Sequence, residues 1–292
     1  MKLWEHIEHR IFQVTGNEFA ITEKRSIAGG DINHAFKIQN SDGQSYFVKT
    51  NHASLLDMFK AEFAGLLEIH HSHSIRMPKP ICYGDADNQA YIVLEWINFQ
   101  HADTSRNFGE QLACLHKTTQ RQFGWSINNT IGSSVQINTL DNDWITFWGK
   151  NRLGLQLKLA AKNGHVGNLQ KKGEKLLEGF PVLFSSYQPK ASLLHGDLWS
   201  GNYSADEHGQ PIIFDPAVYY GDRETDIAMT ELFGNPGGEF YAAYNASWPL
   251  DSGYAVRKVL YNLYHILNHL NLFGGSYARQ AESMMDYLLA EI

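Results

Sequence analysis

The run His195-Gly196-Asp197-Leu198-Trp199-Ser200-Gly201-Asn202, followed by Ile212-Ile213-Phe214-Asp215, constrains this chain more than any other stretch. Asp197 and Asn202 lie five residues apart, and Asp215 lies eighteen beyond Asp197. A kinase-type phosphotransferase needs such a set: one Asp facing the attacking hydroxyl, and an Asn and a second Asp to hold Mg²⁺. Phosphoryl transfer asks for positioning and charge neutralisation more than for covalent help, so three oxygen-bearing groups at fixed spacing suffice. A turn rich in Asp, Gly and Asn between two buried strands would use the same residue types without chemistry. The apolar runs Ser192–Leu194 and Pro211–Phe214 flank the motif as short strands, which puts its polar groups on loops at strand ends.

The rest of the pattern decides between those two. Leu3, Trp4, Ile7, Ile11 and Phe12 form a helical stripe over residues 3–14. Strand-like runs follow at Phe19 to Ala28, Ala35 to Gln39 and Tyr46 to Thr50, the last two joined by an Asp42-Gly43 hairpin signal. Residues 54–70 read as a helix, and Ile81–Tyr83 with Ala90–Trp96 as a further strand pair. After Ile97 the pattern turns helical, at about 104–118, 142–162, 167–178, 224–232, 238–246, 253–272 and 275–290. The expected architecture is an α+β, protein-kinase-like two-lobed fold. Residues 1–97 form a small antiparallel β-rich lobe with a hinge, and 98–292 a larger helical lobe carrying the catalytic loop and acceptor site.

Such a fold makes further demands. A strand Lys must grip the nucleotide phosphates, and a Glu on the next helix must orient it. Lys49 ends Tyr46-Phe47-Val48-Lys49, and Glu62 lies in the following helix. Gly29 and Gly30 fall between two strands, where backbone N–H groups can approach a phosphate unobstructed; a plain hairpin turn uses the same glycines. Leu94, Glu95, Trp96 and Ile97 occupy the connector that would meet adenine. Asp222 reads as the N-cap of the helix that follows, with Asp226 in its first turn. Asp226 is the candidate for holding the catalytic-loop backbone, with His195 a second support.

Composition narrows the partners. A net charge of −7 argues against a broad nucleic-acid surface. Cys82 and Cys114, the only cysteines, fit reduced thiols. The charged start Met1-Lys2-Leu3-Trp4-Glu5 and the lack of a ~20-residue apolar run lead us to expect a cytoplasmic protein without membrane attachment. His70-His71-Ser72-His73 and the pair His265 and His269 lack the third ligand or context of a zinc site. The first cluster is expected to end a solvated helix. The second is expected to share a polar face with Lys258 and Asn262, opposite Val256, Leu260, Leu263, Leu267 and Leu270.

With these residues assembled, the chain resembles the fructosamine kinase (ketosamine-3-kinase) family from about Leu3 to Tyr287. The motif His195–Asn202 resembles that family's signature, in which the Trp distinguishes it from aminoglycoside and choline kinases. Phe214-Asp215-Pro216-Ala217, Gly221–Met229, Glu231-Leu232-Phe233-Gly234 and Leu260–His269 match its pattern as well. The resemblance implies ATP- and Mg²⁺-dependent phosphorylation of the sugar 3-hydroxyl of ketosamines, after which the adduct falls apart and frees its amine. Carried over, Asp197 is the base, Asn202 and Asp215 the Mg²⁺ ligands, and Lys49 with Glu62 the phosphate grip. Trp199 either packs on the sugar or anchors the loop as a core residue. One departure is Asp31, where several relatives carry Cys in the glycine-rich turn, so a thiol switch there is not expected. Two alternatives stand beside this one: a kinase for another hydroxyl acceptor, such as an aminoglycoside or amino alcohol, and a non-catalytic nucleotide-binding protein.

Overall fold

A computed structural model describes residues 2–28, 32–100 and 102–292. The chain divides into two compact units, one running to Thr104 and regaining Ser204–Asp215, the other made of Ser105–Tyr203 and Pro216–Ile292. This grouping differs from a single cut after residue 97 chiefly by the return of 204–215 to the first unit.

The first unit opens with helix α1 (Leu3–Thr15) and continues with strands β1 (Glu23–Ile27), β2 (His34–Gln39) and β3 (Ser45–His52). Helix α2 (Leu56–His71) follows, then β4 (Pro80–Ala86) and β5 (Gln89–Glu95). The strands form one antiparallel sheet in the order β1-β2-β3-β5-β4. Leu3, Ile7 and Ile11 of α1 pack with Ile38, Tyr46, Val48, Tyr91 and Val93 in a single apolar core. Strand side chains alternate between faces, so with Tyr46 and Val48 turned to this core, Phe47 and Lys49 turn to the other face.

The β-like run expected from Phe19 enters the sheet only at Glu23. Before that, Glu8 of α1 accepts the Ile21 N–H at 2.6 Å, and Phe19 packs edge-on against Tyr46 of β3, so these residues bridge α1 and the sheet without joining its ladder. β4 and β5 are joined at Asp87 and Asn88, both at positive φ (52° and 59°). That left-handed pair suits the twist of a tight hairpin.

The second unit contains α3 (Ser105–His116), α4 (Trp144–Trp148), α5 (Gly154–Lys162), α6 (Asn168–Gly179), α7 (Glu224–Leu232), α8 (Gly238–Ser247), α9 (Tyr254–Phe273) and α10 (Tyr277–Ala290). Strands β6 (Ala191–Leu194) and β7 (Tyr219–Gly221) pair antiparallel, with Thr119–Gln120 on the far side of β6. The helix expected over 142–162 is continuous but carries a π-helical stretch at Gly149–Leu153. There the Gly154 N–H bonds the Gly149 carbonyl, an approach that a Cβ on Gly154, 2.5 Å from that oxygen, would block.

α9 departs from expectation. Asn262 and His265, assigned to a polar face, are 6% and 4% exposed, as buried as the apolar stripe opposite. The helix is packed nearly all round, because α5, α7 and α10 surround it. His70, His71 and His73 are exposed at the end of α2. Among the described residues no helix is long and apolar enough to cross a membrane.

Candidate active site

In the first unit, Lys49 is buried and its Nζ donates to Glu62 Oε1 at 2.8 Å and to Asp215 Oδ1 at 2.5 Å. Burial alone would disfavour the ammonium, but the two carboxylates, Asp215 foremost, overcome it and raise the Lys49 pKa. Burial pushes the Glu62 pKa up against the pull of Lys49. Asp215 sits at φ +56°, in a left-handed region that Asp tolerates better than bulky residues, and its side chain is 46% exposed. One oxygen faces Lys49; the exposed carboxylate retains lone pairs for a second cation.

The connector is engaged through its side chains. Leu94 is buried in β5 opposite Phe47. The Glu95 carboxylate accepts from Arg76 (3.1 Å) and the Lys79 N–H (3.1 Å). The Trp96 indole donates to Asn98 at 2.9 Å beneath the Lys37 ammonium, and Ile97 is buried. Gly29, Gly30 and Asp31 lie outside the described residues.

In the second unit, the loop after β6 is held from below by Asp226. Its two carboxylate oxygens accept the His195 N–H at 2.7 Å and the Gly196 N–H at 2.9 Å. His116, which ends α3, sets Nε2 3.2 Å from the Asp226 carboxylate and Nδ1 2.7 Å from the Tyr244 hydroxyl. Burial lowers the His116 pKa, and a neutral ring that gives its Nε2–H to Asp226 accepts the hydroxyl at Nδ1. Burial works against the Asp226 carboxylate, yet these donors keep its pKa below the ordinary value. Nothing in the sequence ties His116 to a residue 110 positions later; it was legible only as the end of an amphipathic helix.

Gly196 has φ +83°, and a Cβ there would lie 2.1 Å from the Ala217 carbonyl, so only glycine fits. Beyond it, the buried His195 accepts the Asp197 N–H at Nδ1 (3.2 Å). Asn202 Nδ2 donates to the Asp197 carbonyl at 2.8 Å and to its Oδ2 at 3.3 Å. Committing the amide nitrogen to the loop leaves the Asn202 oxygen as the end of the side chain that could meet a cation. Ser200 N–H donates to the Phe233 carbonyl at 3.0 Å, and the Phe233 ring packs on His269 at 4.8 Å. Trp199 is 41% exposed and lies over Gly201, where a Cβ would meet its ring at 2.3 Å. A buried core anchor is therefore excluded for Trp199.

Asp222, expected as the N-cap, lies two residues before α7. Its carboxylate does accept the Glu224 N–H (3.1 Å), but also the hydroxyls of Tyr187 (2.9 Å) and Tyr261 (2.5 Å). It is a buried junction of three elements, with its pKa raised by burial.

An antiparallel sheet with a Lys–Glu pair, joined in sequence to a helical unit with an Asp-supported loop, is the architecture of the protein-kinase-like fold. The sequence model of the fructosamine kinase family matches residues 3–291, and the chain belongs to that family. It is 44% identical to a "Probable ketoamine kinase" of Synechocystis sp., over 98% of this chain and 97% of that protein. It is 42% identical to the chloroplastic protein-ribulosamine 3-kinase of Arabidopsis thaliana, over 93% of this chain and 84% of that one. A crystal structure from Haemophilus somnus, provisionally described as a fructosamine-3-kinase, superposes with a TM-score of 0.89 at 29% identity, covering 99% of this chain and 100% of that one.

Proposed function

We propose that this protein is an ATP-dependent ketosamine 3-kinase acting on ribulosamine- or fructosamine-type adducts, free or protein-bound. The observation that carries the reading is the loop Asp197–Asn202, fixed by Asp226 beneath and by the Asn202 amide across it. Family membership and the ribulosamine 3-kinase relative support the acceptor class.

Asp197 accepts the proton of the sugar 3-hydroxyl as that oxygen attacks the γ-phosphorus. The new O–P bond forms as the bond from phosphorus to the β,γ-bridging oxygen breaks, and ADP leaves with the electron pair. Lys49, oriented by Glu62, draws charge from the nucleotide phosphates. Asp215 shares Lys49 with Glu62, and its side chain is the more exposed of the two carboxylates. A carboxylate oxygen of Asp215 and the amide oxygen of Asn202 are hard donors that suit Mg²⁺, which is ordinarily held by one or two carboxylates plus substrate phosphates. When bound, Mg²⁺ would neutralise phosphate charge. Trp199, exposed beside Asp197, offers an aromatic face to the C–H face of a sugar.

The test is ATP consumption with Mg²⁺ across ribulosyl-, erythrulosyl- and fructosyl-amines, with aminoglycosides and choline as controls and NMR to locate the phosphate. Turnover of a ketosamine with phosphate on O3 is expected. Turnover confined to the control acceptors would replace this reading with the other kinase class.

A further inference from the structure

The first unit places a single arginine among three carboxylates next to the segment that carries Asp215. Arg76 Nη1 donates to Asp206 Oδ2 and to Glu207 Oε1 (3.1 Å), and Nη2 donates to Glu95 Oε1 (3.1 Å) and Glu207 Oε1 (3.1 Å). The Arg76 backbone carbonyl accepts the Ile213 N–H at 3.1 Å. Gln100 adds two bonds, from its N–H to the Ala205 carbonyl and from Nε2 to the Glu207 carbonyl, both 3.0 Å. The stretch 204–215 is thus fastened at Ala205, Asp206, Glu207 and Ile213, the last only two residues before Asp215. A planar guanidinium suits this work because its fork holds several carboxylates in fixed directions, which an ammonium cannot do.

Asp206 is buried and splits its oxygens between two tasks. Oδ1 accepts the His208 and Gln210 N–H groups (2.9 and 2.8 Å) and shapes the turn, while Oδ2 faces Arg76. Burial opposes its charge, but those N–H groups and Arg76 hold its pKa below the ordinary carboxylate value.

We propose that the Arg76–Asp206 clamp positions Asp215 against Lys49 and thereby sets the affinity for the metal–nucleotide complex. Arg76 is a positioning residue, since it acts through the segment it holds. The inference rests on the kinase reading above, with Asp215 as a metal ligand. The clamp also reaches Glu95 at the end of β5, so one side chain ties the connector strand to the metal-ligand segment within a single unit.

Asp206→Asn separates the two tasks: an amide keeps Oδ1 for the turn but presents an NH₂ group and no charge to Arg76. Binding of ADP is measured by calorimetry with and without Mg²⁺ on wild type, Asp206→Asn and Arg76→Lys, with acceptor KM alongside. The expected result is a loss of about tenfold or more in Mg–ADP affinity for Asp206→Asn. Metal-free ADP affinity and ketosamine KM should stay within about twofold, and Arg76→Lys, which keeps charge without the fork, should fall between. Mg–ADP binding equal to wild type would overturn the clamp. An equal loss with and without metal, or a parallel rise in acceptor KM, would reduce it to general structure and overturn it too. Failure of the wild-type protein itself to bind Mg–ADP would overturn the kinase reading, and the clamp with it.

Discussion

Asp197 gains its chemical potential from what its neighbours do not leave free to vary. His195 takes its N–H, and the Asn202 amide nitrogen takes its carbonyl and touches one carboxylate oxygen, so the side chain is presented from a loop with little play. Asp197→Asn preserves size and most hydrogen bonding while removing charge and basicity. General-base contributions of 10²–10⁴-fold correspond to about 3–5 kcal/mol of barrier. We expect ketosamine phosphorylation to drop at least about a hundredfold, with nucleotide affinity retained through Lys49 and Asp215. Both quantities are measured on one folded preparation. Unchanged turnover would remove Asp197 from the role of base, and loss of fold would make the residue structural.

At the scale of elements, the loop after β6 depends on α7 for its shape. The two oxygens of Asp226 meet two successive backbone N–H groups, a match that fixes where the chain turns at Gly196. Asp226→Asn sets an NH₂ group against one of those donors and leaves a buried N–H unpaired, at a cost of about 1–3 kcal/mol. The expected outcome is a kcat lowered by about tenfold or more together with a reduced melting temperature. A normal kcat would show that the loop keeps its geometry without this support. Periodicity made the helices legible almost residue by residue: 224–232 was expected, and α7 runs Glu224–Leu232. Spacing singled out Asp197, Asn202 and Asp215 as candidates because they fall at fixed short offsets in two neighbouring loops. The supports were less legible. His116, Arg76 and Asp206 act through partners more than a hundred residues away, and such pairings arise from tertiary packing that local pattern does not encode. The burial of Asn262 and His265 was hidden for a related reason: a polar residue on a helix announces solvent unless three neighbouring helices happen to enclose it.

Across the whole molecule, that enclosure links stability to pH. His265 is buried on α9, and burial first, then the neighbouring His269, lowers its pKa to about 3 from an ordinary 6.5. In the unfolded chain the ring takes a proton below pH 6.5, whereas in the folded protein it stays neutral until far lower. A group depressed in this way contributes stability that is complete above its unfolded pKa and is lost as pH falls toward the folded value. Glu224 works in the opposite sense: burial, against the pull of Arg257, raises its pKa to about 7, so the folded state holds an extra proton between its ordinary value and there. A melting curve of the wild type alone therefore mixes these effects with those of His116, Asp222 and Asp226, and only a comparison isolates His265. At pH 5 the unfolded-state protonation of one such histidine amounts to about 2 kcal/mol, and at pH 7.5 to almost nothing. His265→Gln removes the titration while keeping a polar side chain of similar reach. Urea unfolding of both proteins at pH 7.5 and pH 5.0 should show the wild type losing about 2 kcal/mol more than the variant over that interval. Equal losses would mean that the His265 ring accepts a proton in the folded state, and that the packing around α9 admits charge.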